Sequence, residues 1–447
     1  MAKHLASLGL TVKQVGDTVP VSATRGSDLI VISSTANAHI LGDKFADSKV
    51  PIFTWDTFDY PNLGMTGPVL HKDFGVINPR QDYADSFMIL YGYLANITSD
   101  ISRSLHVLHP HMFGTLYLEP GTAGWGRPGP GGTVITDFDG NPHEAGVFTY
   151  ERGASLADGQ VARAKRVGFY LANGNFHLLT AVYGPAAKDP HLRKWAIGLK
   201  LFDTALRWAL SPSAPIPRYD PAALRARLRQ AAAGKKILFV ERVHGGEGRK
   251  ADAQMVSYLR GLGFGVDIAD QMDPQTRAHG KNLVIISSTC SKYKLAGKYA
   301  DAPVPVLALE GLDADALHLV GRHRYVDYGE YGEERESDDP PDDFLDIVGS
   351  WSPMAAGLPA GLVQFAQHPS VVKWASPGPN AIVIATLPNA PSQSAIFGYP
   401  KGAPMVDGFI APARRALMGL DNPTFSYLTP QGKALFDAIV LWSISGS

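Results

Sequence analysis

The residues that could do chemistry are few, and their types narrow the field before any fold is considered. The single cysteine, Cys290, is the one available thiol, so an internal disulfide and a cysteine-rich metal site are both excluded. His106, His109 and His111 crowd one stretch and His143 stands apart from them; imidazole is the commonest metal ligand, so these three define a candidate metal site. An acidic run from Glu330 to Asp346 offers oxygen ligands, but its spacing fits no EF-hand and reads better as a solvated loop. The stretch His244-Gly245-Gly246-Glu247-Gly248-Arg249-Lys250 could present backbone N–H groups to an anion, yet it lacks the phosphate-loop spacing. Gly153-Ala154-Ser155 approaches a serine nucleophile elbow without completing it. Trp125, in a glycine-rich segment, and Trp374 suit either a sugar-stacking platform or the anchoring of a loop, and anchoring is the commoner use.

The elements that must position these groups are set by an internal repeat. Met1–Gly75 aligns without a gap on Met255–Gly329, with identity at about 23 positions, and such constant-offset similarity marks a duplication. Leu8-Gly9 falls on Leu262-Gly263, Ser33-Ser34-Thr35 on Ser287-Ser288-Thr289, and Asp73-Phe74-Gly75 on Asp327-Tyr328-Gly329. The match resumes at another offset, pairing Phe148, Tyr150, Gly153 and Ala154 with Phe397, Tyr399, Gly402 and Ala403, and ends with Phe202-Asp203 and Trp208 on Phe436-Asp437 and Trp442. The repeat also weakens two candidates. Cys290 faces Ala36, which favours a small buried residue over a nucleophile, and His109-Pro110-His111 faces Ser352-Pro353-Met354, which keeps the turn proline and drops the imidazoles.

In the second copy, Lys236–Val240, Gly265–Ile268, Leu283–Ser287 and Val304–Leu309 read as strands, with a helix running through Leu262 to stop at Gly263 and another around Leu295–Ala300. Alternation of this kind predicts an α/β fold: two tandem domains with mainly parallel sheets and helices on both faces. The expected division is 1–211 for the first copy, 212–233 for a linker helix carrying Arg225, Arg227 and Arg229, and 234–447 for the second copy. Met1 aligns inside the first helix of the second copy, so the counterpart of Lys236–Val240 is missing; the expectation is an upstream start of the natural polypeptide, or another segment filling the gap.

Ser-Ser-Thr after the third strand, Val304-Pro305-Val306-Leu307 in the fourth, the His109-Pro110 turn and the Phe-x-Tyr segments together resemble the class I glutamine amidotransferase-like fold, which shares its layout with flavodoxin-like sheets. Within it the chain is most similar to the trehalose-utilisation (ThuA-like) branch and to tandem bacterial modules, often extracellular. The resemblance implies a nucleophilic cysteine after the fourth strand and a histidine near the carboxyl end. Asp56 and Glu310 occupy the first place; Tyr150 and Tyr399, followed by Arg152 and Lys401, occupy the second. A carboxylate with a phenol of pKa near 10 cannot replace a thiolate and its imidazole base, so amidotransferase chemistry is not expected.

These residues imply a non-catalytic tandem binding or structural module without a cofactor, taking carbohydrate or another small polar ligand at Asp56, Tyr150 and Arg152 and at Glu310, Tyr399 and Lys401. The alternative is an enzyme, such as a hydrolase, using that carboxylate, phenol and cation or a metal. A net charge of -1 over 447 residues speaks against nucleic acid as partner, and no apolar run reaches the roughly 20 residues of a membrane span. The resemblance favours an extracellular setting although the chain opens without a signal-peptide pattern, and a homo-oligomer stays open.

Overall fold

The computed structural model describes residues 1–77, 89–96, 99–105, 115–117, 123–138, 141–171, 179, 198–213, 218–244, 248–331 and 343–445. The chain divides into two compact units, Met1–Ser213 and Ala214–Ser447, each with its own sheet.

In the first unit the strands are β1 (Ile30–Ile32), β2 (Ile52–Thr54), β3 (Phe74–Ile77), β4 (Ile89–Leu94), β5 (Thr115–Tyr117), β6 (Ala123–Gly126), β7 (Thr133–Phe138), β8 (Asn141–Tyr150) and β9 (Arg166–Phe169). They are ordered β1-β2-β9-β8-β7-β4-β5, with β6 pairing β3 and β8 at the side. The second unit holds β10 (Lys236–Glu241), β11 (Gly265–Asp270), β12 (Leu283–Ile286), β13 (Val306–Ala308), β14 (Tyr328–Tyr331), β15 (Phe344–Ile347), β16 (Gly361–Gln364), β17 (Val372–Ala375), β18 (Ile382–Leu387), β19 (Ala390–Tyr399) and β20 (Arg415–Met418). Its order is β11-β10-β12-β13-β20-β19-β18-β15-β16, with β17 pairing β14 and β19.

The α/β class stands, and each sheet is mixed. From β11 to β20 every neighbouring pair is parallel, and from β20 onward every pair is antiparallel. The antiparallel half exists because β18 returns through the two residues Pro388 and Asn389, too short for the crossover a parallel pair needs. Asn389 takes φ +59°, the left-handed conformation such a turn demands.

Alternation along the parallel strands divides the core. Ile237 and Phe239 lie with Leu283, Ile285 and Leu307 on the face covered by the helices Arg249–Gly261, Pro430–Ile444 and Pro221–Ala232. Leu238, Val240, Val284, Ile286, Val306 and Ala308 lie on the other, packed with Leu295, Tyr299 and Leu317. Among the described residues the long helices of this unit thus gather on one face, and short helical turns cover the face where long helices were also expected.

The helix Pro221–Ala232 is no free linker. Its Leu224, Leu228 and Ala232 recur every four residues as one buried stripe, Leu224 packing with Ala356, Ala434 and Ala438 of the same unit. Arg225 reaches Asp437 at 3.4 Å while Arg227 and Arg229 are exposed.

In the first unit the helix Ala2–Ser7 matches the end of Arg249–Gly261, and Gly9 (φ +87°) and Gly263 (φ +103°) close the two helices alike. His4 Nε2 lies 2.6 Å from Asp203, as the Tyr258 hydroxyl donates to Asp437 at 2.7 Å, so each copy ties its first helix to its last. Residues 11–16, the counterpart of β11, form no strand. β11 pairs with β10 alone, and with no described counterpart of β10 beside it, that segment lacks a ladder to join. The sheet ends at β1 without an internal gap among the described residues.

Candidate functional site

The ligand side of an open α/β sheet is the carboxyl edge of its parallel strands. Asp56 and Glu310 stand there, just beyond β2 and β13. Both cap the short helical turn that follows: Asp56 Oδ1 accepts from the Phe58 N–H at 3.1 Å, and Glu310 Oε1 from the Leu312 N–H at 2.8 Å.

The two sites then part. Glu310 is 3% exposed and its Oε2 accepts from Lys373 Nζ at 2.8 Å; Lys373, on β17, is itself buried. Glu330 and Asp421 approach the same ammonium at 3.8 and 4.0 Å. Burial raises the Glu310 carboxyl above its usual range, and the Lys373 charge opposes that rise. In the first unit Gly124 replaces Lys373: it precedes Trp125 opposite Gly75, as Lys373 precedes Trp374 opposite Gly329. Asp56 Oδ2 therefore lacks the partner that Glu310 has; Thr57 Oγ1 and Asp59 Oδ2 are also buried without a partner, as are both oxygens of Asp313, the counterpart of Asp59. Burial pushes Asp56 up to about 6 and Asp59 up to about 7. The matching Asp313 is likewise pushed up to about 7 by burial, with Asp315 and Glu310 adding to it.

The tyrosines lie at the other edge. Tyr150 pairs with Arg166, which pairs with Ile52, the first residue of β2, whereas Asp56 lies beyond its last. Tyr399, Arg415 and Val306 repeat the arrangement. The register thus keeps each tyrosine apart from its carboxylate, and the expected convergence of Asp56 with Tyr150 and of Glu310 with Tyr399 is corrected on that ground. Each phenol fastens two loops. Tyr150 donates to the Met65 carbonyl and accepts from the Gly129 N–H, both at 2.6 Å; Tyr399 donates to Leu319 at 3.0 Å and accepts from Gly378 at 2.6 Å. Burial raises both phenols. Arg152 is half-buried and Lys401 is exposed.

Beside them lie two arginines that the sequence pattern alone did not single out. Arg166 donates to the carbonyls of Leu63 and Ala46, and Arg415 to those of Val304, Ala300 and Ala302. Both are 1% exposed; Arg415 fixes the loop before β13, and Arg166 ties the loop before β2 to the turn that follows it. Lys165-Arg166 aligns with Arg414-Arg415 at the offset of the Phe-x-Tyr segments, and that was the available signal.

The remaining candidates resolve individually. Cys290 is buried, its thiol donating to the Val240 carbonyl at 3.4 Å, and burial with the nearby carboxylate Asp252 drives its pKa upward, away from the reactive thiolate. Ser287 and Thr289 donate to Asp252 at 2.6 and 2.8 Å, so the Ser-Ser-Thr segment anchors a helix here. Trp125 and Trp374 are 8% and 5% exposed and cover Gly75 and Gly329, where a Cβ would meet the ring at 2.7 and 2.9 Å; they anchor strands. His106, His109 and His111 lie outside the described residues, as do Gly245–Glu247 and most of the acidic run. Among the described residues no cluster of three or more His, Cys, Asp or Glu could hold a metal ion, and no helix is long and apolar enough to cross a membrane.

No protein-family model and no curated protein matches the chain. Among solved structures, the mmIFT52 N-terminal domain is similar at 11% identity and a TM-score of 0.31, over 48% of this chain and 99% of that one. A putative GMP synthase subunit from Thermoplasma acidophilum matches at 15% identity and a TM-score of 0.31, over 46% of this chain and 93% of that one. Likeness at this level carries no argument about either unit.

Proposed function

We propose that the chain is a non-catalytic tandem module of the amidotransferase-like type, whose carboxyl-edge turns bind a small polar ligand or serve the fold without turning a substrate over. The observation that carries this is the buried Glu310–Lys373 pair, at the place where the resembled family holds its nucleophile. A carboxylate that is buried, caps its own turn with one oxygen and is held by an ammonium through the other is shielded from a substrate and weakened as a nucleophile. In the first unit Asp56 spends one oxygen on its turn and keeps the other buried without a partner, so the reading rests on the second unit.

The alternative of a hydrolase built on carboxylate, phenol and cation draws no support from the register, which sets Tyr150 and Tyr399 at the far edge with both phenols engaged by main chain. A carbohydrate ligand would have to be held by polar groups, since neither Trp125 nor Trp374 offers a free face for stacking. The test is a binding screen of glycans and small polar molecules against the intact chain, with product analysis on every hit. Binding without product is expected, and release of product would overturn the reading.

A further inference from the structure

In the second unit β10 lies between β11 and β12 and pairs in parallel with both. The first unit keeps the surroundings of that strand. Gly9 closes its first helix as Gly263 does. Asp17 then accepts from the Asn37 N–H at 3.2 Å and, through its carbonyl, from Lys44 at 2.7 Å, just as Gln271 accepts from the Ser291 N–H and from Lys298. Residues 10–17 are thus fastened at both ends where β11 is, β1 stands where β12 is, and no described strand pairs between them. The main chain of β1 faces this slot at alternate residues. The Ile30 N–H donates to the Pro51 carbonyl at 2.9 Å and the Ile32 carbonyl accepts from Trp55 at 3.2 Å, so those two residues face β2. Leu29, Val31 and Ser33 turn their N–H and C=O groups the other way. In the second unit the Ser287 N–H, at the place of Ser33, donates to Val240 of β10 at 2.9 Å. Side chains mark the same opening. Val12 and Val15 are 37% and 54% exposed where Val266 and Ala269 are 7% and 1% exposed, and Leu29 and Val31 are half-buried where Leu283 and Ile285 are fully buried.

We propose that the slot beside β1 is an acceptor for one parallel β-strand from a polypeptide segment outside these 447 residues, an extended apolar run led by a basic residue. An unpaired strand edge is a ready template for such pairing: the main chain supplies the hydrogen bonds and the side chains the selectivity. The apolar character follows from β10, whose Ile237, Leu238, Phe239 and Val240 are all fully buried between the two covered faces of its sheet. The leading base follows from charge. Asn282 Oδ1 accepts from the Lys236 N–H at 2.9 Å, and the exposed Asp28 replaces Asn282 in the first unit. A carboxylate there accepts the same N–H and attracts a cationic side chain at the start of the strand. Direction is set by β1 and β2, which run parallel with Asp28 at the entering end. The slot is one strand wide, so it suits a single donated strand better than the β1 edge of a second copy.

The test is a titration of the intact chain into a fluorescently labelled peptide with the sequence of residues 234–242, read by anisotropy. Two further peptides serve as comparisons, one carrying Leu238→Pro and one with glutamates in place of Lys235 and Lys236. The expected result is saturable binding of one peptide per chain, at least about tenfold weaker for the proline peptide, which cannot complete a ladder. The lysine-led peptide should bind more tightly than the glutamate-led one, and Asp28→Lys should remove or reverse that preference. Hydrogen exchange of the complex should show new protection at the Val31 and Ser33 amides, which face the slot, and little change at Ile30, which is already paired to the β2 side. Absence of saturable binding, equal binding of the proline peptide, or protection gained elsewhere than along β1 would each overturn the proposal. Self-association of the chain that the peptide disperses would assign the slot to a second copy and overturn it as well. The substitutions lie in the peptide or at the exposed Asp28, so the outcome does not turn on whether a core variant folds.

Discussion

Replacing Lys373 by methionine keeps most of the volume and removes the charge, leaving Glu310 buried with nothing opposite it. Lys373 is 4% exposed and Glu310 3%, and the 2.8 Å contact is the shortest made by the ammonium, so solvent cannot take over its role. Removing one partner of a buried pair costs about 3 to 5 kcal/mol, most of it the desolvation of the charge left behind. The same principle makes the apolar replacement of both partners far cheaper, so Lys373→Met with Glu310→Gln should recover the greater part of the loss. The sign with pH is also fixed. In the single variant Glu310 titrates higher in the folded than in the unfolded state, so the folded state is favoured below the unfolded pKa and loses that advantage as pH rises through the folded value. The penalty of Lys373→Met should therefore shrink from pH 8 toward pH 5. Hydrogen exchange of the β13 and β20 amides reads the opening free energy of this unit within the intact chain. A loss under about 1 kcal/mol, or a double variant no better than the single, would refute the claim that the pair is a closed, desolvated unit.

Further outcomes follow from the same geometry. Asp56 and Asp59 titrate at about 6 and about 7, above the ordinary aspartate value, so their contribution is full at low pH and is lost as pH rises through those values. Asp59→Asn should flatten that decline, raising first-unit stability at pH 8 by about 2 to 4 kcal/mol while changing little at pH 4, as read by denaturant titration at both. Tyr399→Phe orphans the Gly378 N–H and the Leu319 carbonyl and should cost about 1 to 3 kcal/mol, seen as a lowered midpoint; a phenylalanine variant as stable as the parent would deny the loop-fastening role. Gly329→Ala places a methyl against the Trp374 ring at 2.9 Å and should destabilise the second unit by about 1 to 3 kcal/mol, checked by amide exchange in β14 and β17.

The parallel half of each sheet was legible because buried strands such as Ile237–Val240 and Leu283–Ile286 are continuous apolar runs, and a turn glycine at 263 closes the helix between them. The antiparallel half was harder to read. β19 opens with the polar stretch Ala390-Pro391-Ser392-Gln393 and becomes fully buried only from Ser394 onward, so no single period marks it. The stripe of Pro221–Ala232 was masked by its arginines, although Leu224 and Leu228 sit at helical spacing. At the site, Asp56 and Glu310 were found because the constant offset carries them to the strand ends. Lys373 was missed because the copies diverge there to Gly124, and a contact between residues 63 apart leaves no local pattern. Asp59 and Asp313 are identical at that offset and were within reach. Tyr150 and Tyr399 were paired with each other by the repeat and misassigned in role, because alignment gives a position in the chain and only register shows at which edge of the sheet it lies.

Under the proposed reading, the buried Glu310–Lys373 pair at the carboxyl edge of the sheet should leave the chain without turnover. The most direct test is prolonged incubation of the intact chain with glutamine and a panel of amides, esters and glycosides, with products quantified by mass spectrometry beside Glu310→Gln, Asp56→Asn and Cys290→Ser. No product above buffer is expected for the parent or any variant. Turnover by the parent that disappears in one of these variants would contradict the non-catalytic reading and identify the group responsible.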